Sequence, residues 1–179
     1  MGRPAESIPV TAQQLASVED VASLARESTL EAFERVWSTP TLLIYPFSEY
    51  STAHIQTVSA SGPRPSVMAV AALRKRPGAN AFANMLTIGR ARNNDIEVRA
   101  SDASKFHAYL STAAPGDAWR LCDAGSSFGT FLNGERLTPR EAVAVSYGAE
   151  LRLGSVLMSL FAPAGLRAFL REGSWQAPS

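Results

Sequence analysis

Between residues 85 and 162 apolar and polar positions alternate in short runs, broken by turn-forming residues about every eight to twelve places. That rhythm predicts short strands packed as a β-sandwich or barrel. The runs are "MLTIG" (85–89), "DIEVR" (95–99), "HAYLSTA" (107–113), "AWRLCDA" (118–124), "TFLN" (130–133), "AVAVSYG" (142–148), "ELRLG" (150–154) and "VLMSLFA" (156–162). Within "FLNGERL" the pair Asn133-Gly134 tolerates positive φ at both positions and predicts a tight hairpin. "APGD" (114–117) predicts a second turn. Upstream, "TLLIY" (41–45), "AHIQTVSA" (53–60) and, after the turn "SGPRP", "VMAVAALRKR" (67–76) also read as strands.

Helical spacing governs the two ends. Residues 11–37 read as helix, with Thr11 and Ser28 each three places before Gln14 and Glu31, the capping-box spacing. Leu15, Val18, Val21 and Ala25 form one stripe; Leu30, Phe33 and Trp37 form another. Both are read as packing faces, and Pro40 ends the helix. "GLRAFLREG" (165–173) is a short C-terminal helix ending at a glycine suited to capping. The predicted organisation is a helical then strand-like N-terminal extension over residues 1–65 and a β-sandwich with a C-terminal helix over residues 66–179.

Composition narrows the function classes. At 179 residues and 46% hydrophobic content the chain fills one core with an extension to spare. No apolar run approaches the ~20 residues that span a bilayer, and the N-terminus shows no basic-then-apolar export signal, so a cytoplasmic location without a membrane partner is expected. The single cysteine, Cys122, makes neither an internal disulfide nor a zinc site, and no metal or other cofactor is expected. Net charge is +1, but residues 1–60 hold three Arg against seven Asp/Glu and residues 61–179 fourteen Lys/Arg against nine. The positive balance of the C-terminal part favours an anionic ligand weakly. No basic stripe interleaves with aromatics, so no nucleic-acid partner is expected. The excess of Arg over Lys, with the many alanines, points to a high-GC bacterial gene. His54, alone on a predicted strand, is read as structural or exposed.

"SDASKFHAYL" (101–110) sets Ser104 three places before His107. A nucleophile and its base must come within hydrogen-bond reach, but residues three apart on a strand point to opposite faces. They meet only if Ser104 lies in a loop and His107 opens the strand, where the imidazole braces the loop while the hydroxyl points outward. "GSSFG" (125–129) has no helix after it and fails as a nucleophile elbow. Holding a ligand fits these residues better than catalysis, and no small-molecule substrate is expected. In "LTIGRARNNDIEV" (86–98), Gly89 ends a strand and lifts Arg90 to the tip, where its planar fork of donors suits phosphate or carboxylate. Asn93, Asn94 and Asp95 are expected to bond their own backbone before the next strand at Ile96. In "DAGSSFGTFLNG" (123–134), Ser126 and Ser127 lie in a loop that bends at Gly129 before Thr130.

Taken in order, I-G-R-x-x-x-N-D-I, S-x-x-H, D-x-G-S-x-x-G-T-F-x-N-G and Y-G-A-E-L-R-L-G resemble a forkhead-associated (FHA) domain of bacterial type, over Ile88 to Gly154. The resemblance implies a mainly β, two-sheet antiparallel sandwich of about eleven strands, with a recognition surface on loops at one end. It also implies a phosphothreonine-recognition module rather than an enzyme. The phosphate-contacting arginine and serine of the family fall on Arg90 and Ser104, and the buttressing histidine on His107. Ser127 matches a residue that helps enclose the phosphate; Gly89, Asn94, Gly129 and Thr130 match supporting positions. Two departures stand out. Phe128 replaces the usual Asn that holds the ligand's main chain, which implies binding less reliant on that main chain, and Lys105 follows Ser104 where an arginine often precedes it. The implied partner is a phosphothreonine-containing protein or a Ser/Thr kinase, in an adaptor role. The alternative is a phosphate-independent scaffold on the same fold, contacting its partner through the N-terminal extension or a sheet face.

Overall fold

Residues 41–44, Thr-Leu-Leu-Ile, are buried at every position, which a strand achieves only when both of its faces are covered. The computed structural model, which describes residues 15–45, 69–114 and 117–173, shows what covers them. In chain order the described residues form β1 (Leu15–Ala16), α1 (Val18–Glu27), α2 (Leu30–Val36), β2 (Thr41–Ile44), β3 (Ala69–Ala72), β4 (Leu86–Gly89), β5 (Ile96–Glu97), β6 (Ala108–Ser111), β7 (Trp119–Asp123), β8 (Thr130–Leu132), β9 (Glu135–Arg136), β10 (Ala142–Val145), β11 (Glu150–Leu153), β12 (Val156–Phe161) and α3 (Pro163–Arg171). One sheet runs β1-β3-β2-β12-β11-β8-β9 and the other β10-β7-β6-β4-β5. The fold is the expected mainly β two-sheet sandwich, with helices from both ends of the chain. One pairing departs from the antiparallel pattern: β4 and β5 run parallel, Ile88 opposite Ile96 and Gly89 opposite Glu97.

Alternation sorts the residues of the larger sheet onto its two faces. Leu42, Ile44, Ala71 and Leu73 point between the sheets, joining Ile88, Leu110, Leu121, Leu151, Met158 and Leu160 in the main core. Leu43, Tyr45, Val70 and Ala72 point the other way and meet Val18, Val21, Ala22 and Ala25 of α1, Phe33, Trp37, and Leu166, Phe169 and Leu170 of α3. Trp37 donates its indole N–H to the Thr41 hydroxyl at 2.7 Å in this buried layer, closing the end of α2 onto β2. Arg167 of α3 donates to the Ser28 carbonyl between α1 and α2.

The single helix expected over 11–37 is two helices preceded by a short strand. Ser17 caps α1 by accepting from the Asp20 N–H at 3.2 Å, and Thr29 caps α2 by accepting from the Ala32 N–H at 3.2 Å. The Ser28 hydroxyl instead turns back on the Leu24 carbonyl, so the capping residue is one place later than the spacing to Glu31 implied. Glu31 pairs with Arg35 along the helix. Leu30, expected on the buried stripe with Phe33 and Trp37, is 43% exposed. Asn133 and Gly134, at φ 49° and 87°, make the expected hairpin between β8 and β9. The boundary expected at residues 65/66 is not a structural seam, because β2 is hydrogen-bonded to β3 on one side and β12 on the other. Thr11, Gln14, the expected 53–60 strand with His54, the "SGPRP" turn and the centre of "APGD" lie outside the described residues.

Leu43 is fully buried against the helical layer. Leu43→Ala is expected to cost about 2–5 kcal/mol in urea unfolding, in one cooperative transition that melts helix and sheet signals together. Leu30→Ala, at an exposed position, should stay within ~0.5 kcal/mol of the parent.

Candidate functional site

The end of β4, the start of β6 and the loop after β7 lie at one end of the smaller sheet, because Ile88 pairs with Ala108 and Ala108 with Asp123. Three loops therefore meet there: 90–95, 99–107 and 124–129.

Gly89 sits where these loops press together. A Cβ on it would lie 2.5 Å from the Lys105 carbonyl oxygen and 2.9 Å from that of Ser104, closer than atoms tolerate. The next residue, Arg90, donates its backbone N–H to the Ser104 carbonyl at 2.9 Å and its Nε–H to the Ala103 carbonyl at 3.1 Å. Those bonds orient an exposed guanidinium whose two terminal nitrogens have no partner among the described residues. Asn94, buried, donates its side-chain amide to the Ala91 carbonyl at 2.8 Å and across to the Lys105 carbonyl at 2.6 Å, so it ties two loops together as well as bonding locally.

His107, wholly buried, is the central brace. Its Nδ1 accepts the Ser104 N–H at 3.0 Å and its Nε2 lies 3.1 Å from the Gly129 carbonyl oxygen. A backbone N–H can only donate and a carbonyl can only accept, so the ring is neutral with its proton on Nε2. Burial pulls its pKa below 6.5, against the opposing pull of the Gly129 bond and of the Asp123 and Asp102 carboxylates. Both nitrogens are committed to main chain, so the imidazole does not take a proton from the Ser104 hydroxyl. That hydroxyl instead accepts the Ser127 N–H at 3.1 Å, joining the second loop to the third. Arg90 and Ser104 thus share the 103–105 loop, and Ser104 touches Ser127 directly. The Ser127 side chain and Lys105 are exposed beside them, and Phe128 is 60% exposed.

Two buried carboxylates hold the loops: Asp123, given no role from the sequence, and Asp95, read there as a turn residue. Asp123 accepts from the N–H groups of Gly125 (2.7 Å) and Ser126 (2.9 Å) and from the hydroxyls of Ser126 and Thr130, both at 2.6 Å. Burial raises its pKa, but these bonds outweigh it and hold the carboxyl below its ordinary 3.8. Thr130 therefore supports the loop through Asp123. Asp95, expected to bond its own backbone, instead accepts from Lys75 (2.7 Å), the Arg76 N–H (2.9 Å) and both the N–H and hydroxyl of Thr87, at 2.9 Å each. Its pKa too is lowered in spite of burial. Gly129 adopts φ 83°, a left-handed conformation that favours glycine, and Nε of Arg136, a residue that sequence reasoning did not pick, comes within 2.7 Å of where its Cβ would stand.

Protonating His107 would set a ring N–H against the Ser104 N–H. With a native pKa below the unfolded value, the unfolded chain binds more protons in the window between the two. Stability from this group is full above pH 6.5 and is lost as pH falls through the depressed native value. Unfolding free energy of the parent should therefore drop between pH 7.5 and 5.5, and His107→Gln should be less stable at pH 7.5 yet show a shallower pH slope.

Residues 86–154 match the family model described as FHA domain. No curated protein matches the chain. Among solved structures it resembles Mycobacterium tuberculosis EmbR in complex with a low-affinity phosphopeptide, at 26% identity and a TM-score of 0.40 over 49% of this chain. It spans 22% of that EmbR chain. It also resembles the FHA domain of the Chlamydia trachomatis CT664 protein (16% identity, 68% of this chain and 95% of that one, TM-score 0.46). A third is the FHA domain of an Arabidopsis thaliana hypothetical protein (22% identity, 79% and 91%, TM-score 0.44). The stretch matched by the family model holds every residue of the loop-end site.

Proposed function

We propose that this protein is a phosphothreonine-dependent binding module that acts as an adaptor in Ser/Thr kinase signalling, its partner a phosphorylated protein or the kinase itself. The observation that carries the reading is the convergence of Arg90, Ser104 and Ser127. One guanidinium is oriented through Nε with its terminal nitrogens left over. One hydroxyl already accepts a bond and keeps its own proton to donate, and a second exposed hydroxyl stands beside it. A phosphate ester brings about −1.5 to −2 charges and three strong acceptor oxygens, which match such a set of donors. Lys105 adds a nearby cation. Gly89, Asn94, His107, Gly129 and Thr130 fix the loop backbones, so little ordering remains to be paid for on binding.

Phe128 shapes the rest of the surface. An exposed phenyl ring gives no amide to the ligand's main chain, so affinity rests on the phosphate and on apolar contact. The same ring favours a second reading, phosphate-independent assembly through an apolar contact on the FHA fold.

Charge-assisted hydrogen bonds contribute about 1.5–3 kcal/mol each. Arg90→Ala should therefore weaken binding of a phosphothreonine peptide by roughly thirtyfold or more in calorimetric titration, with Ser104→Ala weakening it less. Equal binding of phosphorylated and unphosphorylated peptides by the parent would refute the phosphate reading. Partner capture that survives phosphatase treatment and Arg90→Ala would establish the alternative.

A further inference from the structure

We infer that Ser155, in the turn between β11 and β12, is a positioning residue for the phosphate site: its hydroxyl holds Asp102, and Asp102 sets where Arg90 and Ser104 present their donors. This deepens the phosphothreonine reading above and rests on it.

The β11–β12 turn belongs to the larger sheet, yet it reaches the loops at the end of the smaller one. Ser155 donates its hydroxyl to Oδ1 of Asp102 at 2.9 Å, and both residues are partly buried. The residue before it, Gly154, adopts φ 59°, and a Cβ there would stand 2.9 Å from Cγ of Asp102 and 3.1 Å from the Asp102 carbonyl oxygen. Main chain as well as side chain of Asp102 therefore lies against the turn. The Gly154 N–H also donates to the Gly129 carbonyl at 3.3 Å, the same oxygen that His107 holds. On its own sheet the turn is fixed by Arg152, which donates from Nη1 to the Gly154 carbonyl at 2.8 Å while its guanidinium carbon lies 3.6 Å from the Phe131 ring centroid. One anchored turn thus touches both the 99–107 loop and the 124–129 loop.

Asp102 is placed to pass that anchorage on. The Ala103 N–H donates to the Ala100 carbonyl at 3.2 Å, which makes 100–103 a turn with Asp102 as its third residue. The carbonyl of the next residue, Ala103, accepts from Nε of Arg90 at 3.1 Å, and that of Ser104 accepts the Arg90 N–H at 2.9 Å. From Ser155 to the guanidinium there are only a hydrogen bond, one step along the chain and a second hydrogen bond. Ser104 is one residue further, its hydroxyl set against the Ser127 N–H. Hydrogen bonds weaken steeply as their geometry departs from linear, so a shift of Asp102 is felt by both phosphate donors.

The charge of Asp102 separates its position from its electrostatics. It lies two residues from Ser104, within ~7 Å along the chain, where a carboxylate opposes a phosphate. What Asp102 adds to binding therefore comes through the bond to Ser155, and the two contributions have opposite sign.

The test is fluorescence anisotropy on the full chain, with the phosphothreonine peptide that the parent binds tightest on a peptide array. Ser155→Ala is expected to weaken binding about three- to tenfold, as loss of one hydrogen bond does, and Ser155→Thr, which keeps the hydroxyl, to restore it to within about twofold. Asp102→Asn keeps an oxygen for Ser155 and removes the charge, so it should bind at least as tightly as the parent. Asp102→Ala should fall about three- to tenfold below Asp102→Asn, and that gap should close when Ser155 is already alanine. Parent-like binding by Ser155→Ala, or equal losses in Ser155→Ala and Ser155→Thr, overturns this inference alone, provided Arg90→Ala still weakens binding. Should Ser155→Ala fail to fold, equal binding by Asp102→Asn and Asp102→Ala overturns it instead. Failure of the parent to bind any phosphothreonine peptide overturns the phosphothreonine reading and this one with it.

Discussion

The buried imidazole of His107 is the point on which the loop end of the smaller sheet depends. One ring accepts a hydrogen bond from the N–H of Ser104 and donates one to the carbonyl of Gly129. The neutral imidazole offers an acceptor and a donor on opposite sides of a rigid ring, so it sets both the spacing and the orientation of two backbones. Ser104 can then accept from Ser127 because its own N–H is already held. The Gly129 carbonyl also receives the Gly154 N–H, which links the loops to the end of the larger sheet.

Polar groups do at this end what apolar packing does elsewhere. Asp95, Asp123 and Asn94 are buried, yet each is surrounded by donors or acceptors in a ring of short bonds. A buried carboxylate is tolerable only when its oxygens are saturated, and the lowered pKa of both aspartates shows that saturation outweighs burial. These bonds hold the loops from within, beside the buried Ala100 and Ala103, while Arg90, Lys105, Ser127 and Phe128 stay exposed on the outer surface.

Much of this was legible in the chain. Strand positions followed from alternation, the hairpin from Asn133-Gly134, and the bracing of the Ser104 loop by His107 from their three-residue spacing. What escaped was what depends on distant partners. Asp95 and Asn94 read as turn residues because their type favours local bonding, while the structure gives them Lys75 and Lys105 as partners from other loops. Arg136 carries no signal of its own in the sequence, and its approach to Gly129 emerges only from the hairpin's geometry. In the helical segment Ser28 and Thr29 are both competent caps, and the spacing to Glu31 picked the wrong one by a single residue. The break between α1 and α2 is set by how each packs on the larger sheet, which no local pattern encodes.

The placement of β2 carries a consequence for biosynthesis. Its two hydrogen-bonded neighbours are β3, which leaves the ribosome soon after it, and β12, the last of the described strands. Until β12 emerges, β2 keeps one row of main-chain groups open, and the helical layer lacks the α3 side chains Leu166 and Leu170 that complete it. Until residues 156–170 follow, the nascent chain carries an unfinished apolar face, a condition that exposes it to mispairing.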